Sequence, residues 1–134
     1  MKDISDAAII EAVQAALPDA QALFLFGSRA DGSHGGDSDL DLAVLLPTRP
    51  DPVRLWEAGE AVARRLNTHV DLVDLRAAST VMQHQIITTG RRLFALNGDA
   101  ERYELFILSE MIDFDHARAP LIADIQREGR VHGR

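Results

Sequence analysis

The first quarter of the chain carries two apolar patterns, one typical of a helix and one typical of a strand. Over residues 5–17, apolar side chains recur at spacings of three and four, which is the period of an amphipathic helix. Ser5 or Asp6 can cap the start of this helix, and Pro18 follows its end. Residues 21–26 are largely apolar on both faces, which predicts a short strand inside a sheet.

Residues 39–46 show the alternation of a strand with two different faces. Leu40, Leu42 and Val44 fall on one face, and Asp39, Asp41 and Ala43 fall on the other. A polar, glycine-rich loop over residues 27–38 connects this strand to the preceding one. The apolar face sets how the strand packs, and it places the two aspartates together on the opposite face.

The rest of the chain predicts further helices and strands in alternation. Asp51 and Pro52 are typical of an N-cap and a first helical residue. The apolar side of the helix that follows consists of Leu55, Trp56, Gly59, Val62 and Leu66. We expect strands at 69–74 and 91–96, a helix from Ser79 to Gly90, and a helix from Asp99 in which Pro120 either introduces a kink or starts another helix.

This order of elements predicts an α/β (α+β) fold, with a small mixed β-sheet and helices mainly on one face. The length of 134 residues indicates one domain. We expect the sheet and its helices in residues 1–98 and a C-terminal helical tail in residues 99–134.

The helical tail carries two apolar stripes. One consists of Tyr103, Phe106, Ile107, Met111 and Phe114, and the other of Leu105, Leu108 and Ile112. We expect the first stripe to pack on the sheet. The second either docks a partner protein or is covered by a final helix that folds back through Leu121, Ile122 and Ile125.

Composition narrows the functional classes. The chain has no cysteine and a formal net charge of -7. The lack of cysteine excludes a disulfide scaffold and a thiolate zinc site. The negative net charge argues against bulk binding of nucleic acid. No stretch approaches the ~20 apolar residues that span a bilayer, and the N-terminus lacks the pattern of a signal peptide. We therefore expect a cytoplasmic protein.

The paired aspartates suggest a metal site. Asp39 and Asp41 leave the same face of a strand, with Cα atoms ~7 Å apart. Two carboxylates at that distance suit Mg²⁺, which prefers oxygen ligands and substrate phosphates. Asp-x-Asp also occurs at Asp37 and Asp39 and at Asp113 and Asp115. The last pair falls on a predicted helix, where side chains two residues apart diverge.

The Gly27-Ser28 pair follows the first predicted strand. Gly27 permits a phosphate to approach the backbone closely, and Ser28 offers a hydroxyl beside amides that can face an anion. Alone, the pair is equally typical of an ordinary turn between two strands.

Together these residues resemble the signature of the DNA polymerase beta-like nucleotidyltransferases. Gly27-Ser28 is followed by ten residues and then by Asp39-x-Asp41, between two apolar strands. The segment LFLFGSRADGSHGGDSDLDLAVL is similar to the minimal nucleotidyltransferase branch. Ser28-Arg29-Ala30 fits the pattern of that branch, whereas Asp31 departs from it. The resemblance continues through 69–75 and 88–95 into the last helix, so it covers nearly the whole chain.

The resemblance implies a site that holds ATP and metal. Gly27, Ser28 and Arg29 would bind the triphosphate, and Asp39 and Asp41 would bind a Mg²⁺ ion attached to it. The family uses a third carboxylate on a later strand to hold a second ion beside the attacking hydroxyl. Asp71 and Asp74 are the candidates, and strand parity favours Asp71, since Val70 and Leu72 mark the buried face. His69 lies on the same predicted face.

The size of the chain resembles that of antitoxins in the HEPN/MNT toxin–antitoxin type. This resemblance implies transfer of AMP to a tyrosine hydroxyl of a helical HEPN ribonuclease toxin, and a hetero-oligomer with that toxin. Two alternatives remain. One is transfer to a hydroxyl of a small molecule such as an aminoglycoside, and the other is a non-catalytic antitoxin that acts by binding alone.

Overall fold

The computed structural model describes residues 4–27, 39–96 and 98–127, with side chains as far as Asp113. Its elements are α1 (Asp6–Ala16), β1 (Ala22–Phe26), β2 (Leu40–Leu45), α2 (Pro52–Leu66), β3 (Val70–Asp74), a 3-10 turn (Leu75–Ala77), α3 (Thr80–Thr89), β4 (Arg91–Ala95) and α4 (Gly98–Arg127). The predicted elements are confirmed to within one or two residues. Of the two alternatives for Pro120, the start of another helix is wrong, because Pro120 lies inside one continuous helix.

The four strands form one mixed sheet in the order β3-β2-β1-β4. β1 is antiparallel to both β2 and β4, and β2 is parallel to β3. The two central strands are therefore β1, whose sequence is apolar on both faces, and β2, whose second face carries Asp41 beside apolar residues. With four helices around it, this sheet confirms the predicted fold class.

The placement of the helices corrects one expectation. α1 and α2 pack on the sheet face that carries Leu23 and Leu25. α3 and α4 pack on the opposite face, which carries Phe24 and Leu45. The prediction of helices mainly on one face is wrong, because a strand such as β1 with apolar side chains on both faces must be covered on both.

Side-chain caps fix where the helices begin. The Ser5 side chain accepts from the Ala8 N–H, Asp51 accepts from the Val53 N–H, and Ser79 accepts from the Met82 N–H, each at 3.1 Å. Each satisfies a backbone donor that the first turn would leave unpaired. The end of α2 is fixed by Asn67, a left-handed residue whose N–H bonds back to the last turn of the helix.

α4 is held against the body by one side. Ile107 is fully buried, and the Tyr103 hydroxyl accepts a hydrogen bond of 3.2 Å from Gln83 Nε2 while Arg76 stacks over its ring. Phe106 is 54% exposed, so its predicted place in the packed stripe is wrong. Because Gly98–Arg127 is one helix, the alternative in which a final helix folds back over Leu105, Leu108 and Ile112 is wrong.

The outer side of α2 carries a second departure from the sequence prediction. Leu55, Ala58 and Val62 pack into the core, but Trp56 is 67% exposed. The predicted place of Trp56 in the apolar side of this helix is wrong, because the helix turns the indole outward. No helix in the described part of the chain is long and apolar enough to cross a membrane.

The two sides of α4 predict opposite effects on stability. We expect Ile107→Ala to lower the free energy of unfolding by about 2–5 kcal/mol, because it empties a buried site. Ile112→Ala changes an exposed side chain on the same helix, and we expect an effect within about 0.5 kcal/mol. Chemical denaturation of both variants measures the difference, and equal losses would contradict the assignment of the two sides.

Candidate functional site

Two of the three predicted carboxylates stand on neighbouring parallel strands. In the pairing of β2 with β3, Asp41 lies directly beside Asp71. Paired residues of parallel strands point to the same face, and these strands lie ≈ 4.8 Å apart. Their face also carries Ala43 and Val73, which belong to the core beneath α3 and α4. The sheet register therefore brings together two residues separated by 30 positions in the sequence.

Asp39 continues this arrangement at the end of the sheet. The Leu40 N–H donates to the His69 carbonyl at 2.9 Å, so the alignment of β2 with β3 extends one residue before each strand. By strand parity, Asp39 therefore lies on the same face of the sheet as Asp41, and His69 lies on the same face as Asp71. Both are exposed.

Gly27 closes the site from the side of β1. Phe26 pairs with Asp41 across the antiparallel strands. Gly27 follows with φ +75, and a Cβ there would collide with the Asp41 carboxylate. Glycine is required twice over, by the left-handed backbone and by the carboxylate against it. The sequence predicted that a phosphate approaches the backbone closely at Gly27. The structure adds that the Asp41 carboxylate also lies close to this backbone.

Asp41 is the carboxyl group that burial and its acidic neighbours affect most. Burial raises the pKa of Asp41 above its usual range, and the negative charges of Asp71 and Asp39 raise it further. Like charges and partial burial both disfavour the ionised form. Such perturbed carboxyl groups are concentrated at functional sites.

Asp74 has a different role, as strand parity predicted. It is buried, and its Oδ1 accepts from the Arg76 N–H at 3.1 Å, which caps the turn after β3. Its Oδ2 has no partner among the described residues. The predicted positions of the two residues are therefore confirmed: Asp71 lies beside Asp41, and Asp74 lies in the turn.

The predicted triphosphate contacts of Ser28 and Arg29 lie outside the described residues, as does Asp31. Gly27 is thus the described end of the proposed phosphate-binding turn. Its predicted contact with phosphate stays a prediction, and so do the catalytic and metal-binding roles of the three aspartates.

The donor set suits a divalent cation. Asp39, Asp41 and Asp71 offer only carboxylate oxygens, the ligands that Mg²⁺ prefers, and the pairing of β2 with β3 sets Asp41 beside Asp71. Within residues 4–27, 39–96 and 98–113, no three acidic or histidine side chains already stand at the spacing of a coordination sphere. Catalytic contacts of this kind commonly tighten only when the ligand binds.

Comparison with known proteins decides the family. The Polymerase beta, Nucleotidyltransferase family matches residues 8–99, more than half of the chain. The chain belongs to this family. The matched segment begins in α1 and reaches the first turn of α4, so it includes all four strands and the three aspartates.

Similar proteins align over most of this nucleotidyltransferase. Protein adenylyltransferase MntA of Shewanella oneidensis is 34% identical over 125 residues, which cover 93% of this chain and 90% of that protein. A toxin–antitoxin crystal structure with AMP-PNP contains a chain that is 33% identical, with TM-score 0.77 and coverage of 92% and 99%. A structure of tri-AMPylated Shewanella oneidensis HEPN toxin with an MNT antitoxin matches at 32% identity, TM-score 0.70 and coverage of 90% and 95%.

One feature beside the carboxylates was not predicted. An open groove lies between the end of α2 and the start of β3, lined by Glu60, Ala63, Arg64, Asn67, Thr68, His69 and Val70. Its lining residues are ordinary surface types in the sequence. Only the α2–β3 packing brings them together, so no local pattern could have revealed the groove.

The raised pKa of Asp41 predicts how stability depends on pH. The folded chain binds the Asp41 proton more tightly than the unfolded chain, so this group favours folding below the unfolded pKa of about 3.9 and loses that contribution as pH rises through the folded pKa. Asp41→Asn does not titrate. We therefore expect this variant to melt above the wild type near pH 7 without divalent cations, and the difference to shrink toward pH 4. A melting temperature of the variant below that of the wild type across this range would contradict the raised pKa of Asp41.

Proposed function

We propose that this chain is a magnesium-dependent antitoxin that transfers AMP from ATP to a tyrosine hydroxyl of a cognate helical HEPN ribonuclease, and thereby neutralises it. The pairing of Asp41 with Asp71 beside Gly27 carries the proposal. The pairing sets two carboxylate groups side by side, and a metal ion could bind between them. The turn at Gly27, which a phosphate can approach closely, lies next to this position. The relative named as a protein adenylyltransferase aligns over nearly the whole chain, which supports a protein acceptor.

The reaction is a displacement at the α-phosphorus of ATP. The tyrosine oxygen forms a bond to the α-phosphorus, the bond from that phosphorus to the α,β-bridging oxygen breaks, and pyrophosphate leaves. The hydroxyl proton passes to a nearby base and then to solvent. Asp71 is the base we assign, since it lies on the outer strand of the carboxylate pair and is exposed.

The remaining residues bind and orient the nucleotide. Gly27 lets the triphosphate reach the backbone, and Ser28 and Arg29 follow it in the same turn. Asp39, Asp41 and Asp71 would hold the divalent cations. When bound, such ions stabilise the negative charge on the attacking and leaving oxygens. Since ATP is a cytoplasmic metabolite, the proposal also places the chain in the cytoplasm.

Two alternatives predict different products. A transferase for small molecules would label an aminoglycoside-like compound and leave the protein partner unlabelled. A non-catalytic antitoxin would bind its partner and stop its ribonuclease activity without consuming ATP. Incubation with labelled ATP, with and without the proposed helical HEPN partner, separates the three.

Variants of the carboxylates test the assigned roles. We expect Asp39→Asn, Asp41→Asn and Asp71→Asn each to reduce AMP transfer at least about a hundredfold, because each removes an electrostatic contact at the reacting phosphate. The measurement is the initial rate of label transfer to the partner, followed by mass spectrometry of the modified tyrosine.

Asp74→Asn is the matched control. It lies three residues after Asp71 on the same strand, but it caps a turn, and asparagine caps as well as aspartate does. We expect its transfer rate to stay close to that of the wild type. A severe loss in Asp74→Asn together with normal transfer in Asp71→Asn would reverse the assignment of the third carboxylate.

A further inference from the structure

Asp71 lies on an edge strand that has little burial of its own. β3 has one neighbour in the sheet, β2, and its one buried residue is Asp74 at its end. On β2, every residue except Asp41 is buried. The pairing also sets Asp71 beside the like charge of Asp41, which opposes the pairing. The position of Asp71 therefore depends on the contacts that attach β3 to the rest of the chain.

The backbone between β2 and β3 leaves their alignment to such contacts. The two strands are parallel, so no hairpin turn joins them, and the chain between them runs through α2. α2 covers one face of β3, where Val70 and Leu72 pack against the core. Apolar packing is non-directional, so it holds β3 on the sheet without a strong preference for one alignment along the strand. Hydrogen bonds near the strand ends can supply that preference.

Arg76 makes such a bond at the far end of the pair. The last backbone pair of the two strands is Val44 with Asp74. Beyond it, Arg76 Nε donates to the Leu46 carbonyl at 2.8 Å. Leu46 directly follows β2, and Arg76 lies two residues after β3. The side chain thus continues the attachment of the strands past their last backbone pair, with a charged donor, which makes a stronger hydrogen bond than a neutral one.

The turn that carries Arg76 is itself fixed. The Arg76 N–H donates to Asp74 Oδ1 at 3.1 Å, and Gln83 Nε2 of α3 donates to the Leu75 carbonyl at 3.0 Å. The guanidinium lies over the Tyr103 ring of α4, with its central carbon 4.8 Å from the ring centroid, a favourable placement for a cation. These contacts orient the guanidinium toward the end of β2.

Other arginines of the described chain make a different kind of contact. They form ion pairs with acidic side chains at the surface, and such pairs contribute little to stability. These arginines are Arg54, Arg65, Arg91, Arg92 and Arg102. Arg76 instead bonds the main chain of the neighbouring strand, so its removal acts on the β2–β3 pair.

We propose that Arg76 is a positioning residue for Asp71. It joins the turn after β3 to the end of β2 and so holds the alignment in which Asp71 lies beside Asp41, against the repulsion of the two charges. At the site end, the Leu40 N–H donates to the His69 carbonyl at 2.9 Å, and β3 is thereby attached at both ends. The effect of Arg76 on AMP transfer rests on the proposed function, whereas its effect on β3 does not.

Hydrogen exchange tests the positioning without ATP or a partner. Arg76→Met removes the donor and keeps an unbranched side chain. We expect the protected amides of β3 to exchange about tenfold faster or more in this variant, as for the loss of one charged hydrogen bond, and those of β1 to change less. Arg54→Met is the matched control, because Arg54 pairs with the exposed Asp19. Unchanged exchange in β3 of Arg76→Met would overturn the proposal.

Metal affinity separates positioning from a general loss of stability. We expect Arg76→Met to weaken the binding of Mn²⁺ with AMP-PNP about tenfold, measured by electron paramagnetic resonance, and to lower kcat for AMP transfer with the KM for the partner unchanged. Ile107→Ala is the control, because it empties a buried site in the core beneath α3 and α4 and leaves Arg76 in place. An equal loss of Mn²⁺ affinity in both variants would reduce Arg76 to a structural role.

The two measurements also separate this proposal from the proposed function. A wild-type chain that binds no Mn²⁺ and transfers no AMP would refute the proposed function, while the exchange of the β3 amides would still decide the role of Arg76. Normal transfer and normal Mn²⁺ affinity in Arg76→Met would overturn the positioning role and leave the proposed function intact.

Discussion

The repulsion between Asp41 and Asp71 is the constraint on which the rest of this structure depends. The two carboxylates are paired across parallel strands, and the charge of Asp71 contributes to the raised pKa of Asp41. Like charges placed side by side on neighbouring strands destabilise a sheet. The arrangement therefore has to be held by other contacts, and a cation bound between the carboxylates, as we propose, would offset the repulsion.

The sheet supplies those contacts on both faces. β2 carries the aspartate between Leu40 and Leu42, which are fully buried beneath α1 and α2. A slip of one residue would expose both leucines and bury the aspartate, so the core fixes the register that the charges oppose. Gly27 restricts the Asp41 carboxylate from the side of β1, because only a residue without a Cβ fits against it. The residues that we propose for binding thus lie directly beside the residues that hold the sheet together.

Local patterns predicted the parts of this site that lie within one strand. Alternation placed Asp41 opposite Leu40 and Leu42, and it separated Asp71 from the turn residue Asp74. The alignment of β2 with β3 is a contact between distant segments, so no local period could predict it. Apolarity on both faces of β1 did indicate helices on both sides of the sheet, and the expectation of one helical face gave that signal too little weight.

Trp56 shows a different limit of sequence reasoning. An indole beside an apolar helical stripe is usually read as core, but the angular position on α2 places it in solvent. Helical spacing defines a stripe, while the packing partner decides which edge of the stripe is covered. The same limit applies to Phe106 on α4. Both residues are large apolar groups at the border of a packed face, where exposure is decided by tertiary structure alone.

The proposed function depends on a cation position at the three carboxylates. Crystals grown with Mn²⁺ and AMP-PNP would show that position directly in an anomalous difference map. We expect the strongest peak between the carboxylates of Asp41 and Asp71, within reach of Asp39 and of the triphosphate. A Mn²⁺ ion bound to the triphosphate alone, with these three carboxylates left without contact to it, would contradict the account.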